Sequence, residues 1–86
     1  MKHEEVLNFL ENESKKNGIN IRYEKGDFDG GFCILRDEQV IVINRKLSDL
    51  RKLLILSDAM SKFGFDKIEY PLEIQLILNK EEEKVK

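Results

Sequence analysis

The side chains able to do chemistry are few: one cysteine, Cys33, one histidine, His3, and a surplus of carboxylates. Nucleophilic catalysis needs a thiol or hydroxyl beside a base, and the sole imidazole lies at the other end of the first third of the chain. Cys33 falls in a predicted strand, where a buried, inert thiol is the expected state. A protein-built zinc site needs three or four ligands, mostly Cys and His, and one of each does not supply them. Asp27-Phe28-Asp29-Gly30 looks like the start of a calcium loop. Counted from Asp27, however, Gly31 takes a ligand position and Phe32 takes the place of the required glycine. Gly26, Gly30 and Gly31 lead into a strand, with no GK[ST] behind them, so they do not form a phosphate cradle at a helix N-terminus. No catalytic residue, metal or cofactor is assigned, and the chain is read as a non-enzyme.

Surfaces for contact are the alternative. Arg45, Lys46, Arg51 and Lys52 cluster around the start of the main predicted helix, with Arg36 in the hairpin counted beside them. They form a candidate anion- or nucleic-acid-binding patch. Asp49 interrupts the patch, no aromatic is interleaved for base stacking, and the net charge is −2. Nucleic acid is therefore disfavoured as a partner. Phe28, Phe65 and Tyr70 are the aromatics least claimed by a core, and Phe28 stands at a turn between two aspartates. Asp58, within an apolar helix, is read as a rim position facing water.

These residues must be held by secondary structure, and the periodicity supplies it. Val6, Leu7 and Leu10 share a stripe over residues 3–16, with Glu4 and Glu5 at the start, Lys15 and Lys16 at the end and Gly18 beyond. From Ile19 the period becomes two: Ile19, Ile21 and Tyr23 alternate with polar residues. A turn cluster at 25–31 precedes two strands, 32–35 and 40–43, whose short link demands an antiparallel hairpin. A three-stranded antiparallel meander is the expectation, with 40–43, apolar on both faces, central or under a helix. Ser48 caps a helix over 49–63 that is apolar around much of its circumference, so it should lie buried across the sheet. In 68–78, Ile68, Tyr70, Leu72, Ile74, Leu76 and Leu78 alternate as in a strand, while Pro71 suits a helix start. The reading is a short strand at 67–70 and a helix from Pro71, with an edge strand over Ile68–Leu78 as the alternative. The fold class is α+β.

Ile41-Val42-Ile43-Asn44, then Leu47-Ser48 and a leucine-rich helix, resembles a stretch of the zincin-like domain of the ImmA/IrrE peptidase family. Gly30-Gly31-Phe32-Cys33 is similar to a GG-aromatic-or-Leu-Cys element of small bacterial proteins with this order of elements. Together the resemblances cover residues 26–63. In the peptidases the helix carries HExxH, which puts two imidazoles on zinc and a glutamate on its water. Here those slots fall at Asp58, Ala59 and Lys62, or one residue earlier at Ser57, Asp58 and Ser61. Neither register holds a histidine. The resemblance thus implies a zincin-like remnant without its metal chemistry.

The chain has 86 residues, 41% hydrophobic and 37% charged, enough of both for one compact domain over 1–86 with a frayed charged tail at 81–86. The longest apolar run is far short of the roughly 20 residues of a membrane span. One cysteine and an acidic N-terminal stretch suit the cytoplasm. The expected role is a small non-catalytic module that works through protein contacts or self-association as a homodimer. The alternatives are the metal-free peptidase remnant and a nucleic-acid-binding accessory using the Arg45/Lys46/Arg51/Lys52 patch.

Overall fold

A computed structural model describes residues 1–65 and 69–85, with the backbone alone for 32–35 and 85. Helix α1 spans His3–Lys16, strand β1 Asn20–Glu24, β2 Gly30–Leu35 and β3 Glu38–Asn44. Helices α2, Asp49–Lys62, and α3, Leu72–Val85, complete the order. Three helices on a three-stranded sheet make the α+β class expected from the sequence.

The sheet differs from the expected meander in one pairing. β2 and β3 form the antiparallel hairpin, but β1 pairs in parallel with β3, giving the order β1-β3-β2. The physical reason lies in the connection lengths. The link between β2 and β3 is too short for anything but a hairpin, whereas β1 and β3 are separated by residues 25–37. That is enough for a parallel crossover, and β2 itself is the crossover. The loop 25–29 has only to step over the end of β3, two strand spacings or about 10 Å. Five residues reach about 17 Å.

The hairpin turn is tight. Leu35 pairs with Glu38, leaving Arg36 and Asp37 as the two loop residues, at φ 49° and φ 69°. Two consecutive positive φ values define the turn whose twist suits a two-residue hairpin, and Asn-Gly is its favoured filling.

α1 and α2 cover one face of the sheet. Ile41 and Ile43 of β3 are buried beneath them, with Val6 and Leu10 of α1 and Leu53, Leu56 and Met60 of α2. Each such side chain contributes about 1.5–3 kcal/mol through burial. Ser48 caps α2 as expected, its Oγ accepting from the Arg51 backbone N–H at 3.3 Å. Ile55 of α2 packs closely over Gly30 of β2. A Cβ there would lie 2.6 Å from the Val42 carbonyl oxygen and 2.9 Å from Ile55 Cγ2, so only glycine fits.

Leu72–Leu78 is helical, which overturns the edge-strand alternative for those residues. The short strand expected at 67–70 is not present at Glu69 and Tyr70, which form a turn, and its remaining positions lie outside the described residues. Pro71 fixes the outcome: its carbonyl accepts from the Ile74 and Gln75 backbone N–H groups at 3.0 and 3.1 Å and opens the helix. The strand-like alternation has a geometric origin. Residues two apart on a helix lie about 200° apart, so the alternate set splits into two stripes. Ile74 and Leu78 face the core, while Leu72 and Leu76 are 68% and 59% exposed. The charged run at 81–85 is helical, and Glu81 within it is buried.

Candidate functional site

The structure disperses the basic patch. Arg45 and Lys46 are exposed just past the end of β3. Arg51 Nη2 lies 3.2 Å from Asp29 Oδ2, and Lys52 Nζ sits 5.4 Å from the centre of the Tyr23 ring, a cation–π arrangement. Arg36 does not belong with them: it occupies the opposite end of β3, about 20 Å away at strand rise. Two of the four cations are thus engaged within the chain.

Tyr23 anchors a small polar junction between α1, β1 and α2. Its hydroxyl donates to Glu11 Oε2. Burial is the main reason its phenol is held well above the ordinary value, followed by the hydrogen bond and charge of Glu11, then by Asp49.

The aromatics fare differently from one another. Tyr70 is core, 8% exposed, and packs edge-on against Phe9 with ring centres 5.4 Å apart. Phe65 is half-buried and packs against the same cluster. Phe28 is 38% exposed, but its ring lies back over Gly26, where any Cβ would strike it. It is a lid on its own turn more than a projecting anchor.

A cleft of ≈ 410 Å³ is bordered by Ser57, Asp58 and Ser61 of α2, by Phe65 and Tyr70 and by Glu82 of α3. It contains one of the two registers in which the zincin histidines would stand. Asp58 faces water as expected and pairs with Lys62 at 3.4 Å. Ser61 Oγ donates to the Asp58 carbonyl at 2.6 Å. Ser57 is buried. The cleft therefore joins hydroxyls, carboxylates and aromatic rings without an imidazole. Among the described residues no group of three or more His, Cys, Asp or Glu side chains is placed to hold a metal ion.

Asn44 enters the sequence reading only through the family resemblance and Glu81 only within a charged tail, yet both are buried here. Asn44, 9% exposed, closes the loop that crosses the end of β3. Its Nδ2 donates to the carbonyls of Gly26 and Phe28 at 2.9 and 2.8 Å, and its Oδ1 accepts from the Lys46 N–H at 3.0 Å. The signal was a lone amide ending an apolar strand opposite a glycine-rich turn. Glu81, buried on α3, has His3 Nε2 at 3.5 Å and Lys84 Nζ at 3.7 Å, so the single histidine ties the chain's first helix to its last. Nothing in the sequence spacing marks that pair.

Architecture and surface define a small α+β domain with an open three-stranded sheet. No protein-family model, curated protein or solved structure matches the chain. Among the described residues no helix is long and apolar enough to cross a membrane.

Proposed function

We propose that this protein is a small non-catalytic module that acts through protein–protein contacts, with a second copy of itself among its partners. The observation that carries this reading is the double-sided apolarity of α3. Ile74 and Leu78 complete the core, while Leu72 and Leu76, one turn apart, leave most of their surface in water. Large aliphatic side chains at i and i+4 on an outer face are a docking stripe for a second apolar surface. The other readings have less behind them: Arg51 and Lys52 are partnered inside the chain, and the zincin slots bring no imidazole into the cleft. A cytoplasmic setting is the companion proposal, supported by a single cysteine in the chain.

Light scattering after size exclusion tests the reading across a concentration series. The mass should rise above that of the monomer with concentration, and Leu72→Glu with Leu76→Glu should lower it at a given concentration without loss of helicity. An association that ignores both substitutions removes α3 as the contact.

A further inference from the structure

The two edges of the sheet are not alike. β1, Asn20–Glu24, carries Arg22 and Glu24, which pair with each other at 3.5 Å. Charges of this kind guard an edge strand against pairing with another chain. β2 reads Gly-Gly-Phe-Cys-Ile-Leu from Gly30 to Leu35, with no charge, no proline and, among the described residues, no strand beyond it in the sheet order.

The hydrogen-bonding phase of that edge is fixed. The Asn44 N–H donates to the Asp29 carbonyl at 2.9 Å, so residues 29, 31, 33 and 35 turn their main-chain groups towards β3. Gly30, Phe32 and Ile34 turn theirs outward. Beside this edge runs a cleft of ≈ 240 Å³ between Gly30–Gly31 and the flank of α2, walled by Leu54, Ile55 and Ala59 and bordered by the charged Arg51, Asp58 and Lys62. An added strand would meet a shelf of aliphatic side chains edged by charges on its helix-facing side.

We infer that β2 pairs with β2 of a second copy, antiparallel about Phe32, joining two three-stranded sheets into one of six strands. In this register Phe32 stands opposite its own counterpart, Gly30 opposite the second copy's Ile34, and Asp29 opposite its Leu35, one residue from the second copy's Arg36. Opposite charges thus lie near both ends of an uncharged strand, Asp29 being shared with Arg51 of its own chain. The outward groups of residues 30, 32 and 34 supply about six main-chain hydrogen bonds. Only two short edges meet, so the buried area falls below about 1,200 Å², the range of weak, transient association. The dimer is accordingly concentration-dependent. This surface is distinct from α3, though the inference rests on the same protein-contact reading.

The test is sedimentation velocity from about 10 μM to about 1 mM, where weak dimers with Kd near 0.1 mM report. Ile34→Pro leaves the β2–β3 ladder whole, because the N–H it removes points outward. It should weaken association at least about tenfold, while the α3 pair Leu72→Glu/Leu76→Glu leaves this contact in place. If Ile34→Pro fails to fold, Ile34→Lys decides by the same readout, since an edge lysine blocks pairing without altering the backbone. Association that survives the Ile34 changes and vanishes with the α3 pair overturns the β2 contact and leaves the α3 reading standing. A monomer at every concentration overturns both.

Discussion

The side-chain amide of Asn44 donates to the backbone carbonyl of Phe28 at 2.8 Å, across the loop that carries the chain over the end of β3. Together with its bond to the Gly26 carbonyl, this holds a glycine-rich turn in the one path that lets β3 enter between β1 and β2. A carbonyl turned towards a strand end must find a donor there, and a carboxamide can supply two.

Asn44→Asp should therefore destabilise the fold more than its size suggests. The substitution keeps the shape but puts an acceptor against two carbonyl oxygens. A loss of about 2–4 kcal/mol is expected from stranded polar groups, read as a lower urea midpoint at unchanged slope. An unchanged midpoint would show that the loop holds without the amide.

Ser14 gives the opposite prediction. It is fully buried in α1, and its hydroxyl has no hydrogen-bond partner among the described residues. Ser14→Ala removes an unpaid polar burial and improves helix propensity, so it should stabilise by about 1 kcal/mol. Thermal denaturation with a raised melting temperature would bear this out, and a drop would reveal a partner for the hydroxyl.

The hairpin turn is filled by residues ill suited to it. Arg36 and Asp37 both sit at positive φ, which costs a residue with a Cβ roughly 1 kcal/mol each. Replacing the pair by Asn-Gly should add about 1–2 kcal/mol of stability. Chevron kinetics would place the gain, in folding if the hairpin forms early and in unfolding if late.

Alkaline pH should unfold the protein partly through Tyr23. Burial first, then Glu11, raises its phenol above the usual value, so the folded state keeps a proton that the unfolded chain gives up near pH 10. The contribution is whole below pH 10 and is lost as pH climbs from there towards the folded value. Urea midpoints between about pH 8 and pH 11 should fall more steeply for the native chain than for Tyr23→Phe. Parallel curves would remove Tyr23 from the account.

Much of this architecture was legible in the residues, for identifiable reasons. α1 announces itself through a stripe of large aliphatics between acidic and basic ends with a glycine beyond, α2 through a Ser48 cap before an aliphatic-rich helix, and the expected bounds match His3–Lys16 and Asp49–Lys62 within a residue. The partner of β1 was not legible. Alternation tells which face of a strand is wet, but says nothing about which neighbour it pairs with. α3 misled because Leu72, Ile74, Leu76 and Leu78 satisfy a period of two while serving two helix faces. Of the candidate contact residues, Arg51 and Phe28 are exposed, yet their neighbours, Asp29 and Gly26, depend on a loop path that only the tertiary fold defines.

The insertion of β3 between β1 and β2 also orders events in time. A ribosome that has released residues 1–37 has delivered two strands with no partner for either, since β1 and β2 are not neighbours in the sheet. The nascent chain can fold its first helix but no sheet until Glu38–Asn44 emerges. That one segment then recruits β2 through a local turn and β1 from far upstream. Until it arrives, the uncharged strand waits with both margins open, and the birth of the protein is the moment at which it is most prone to stick to a neighbour.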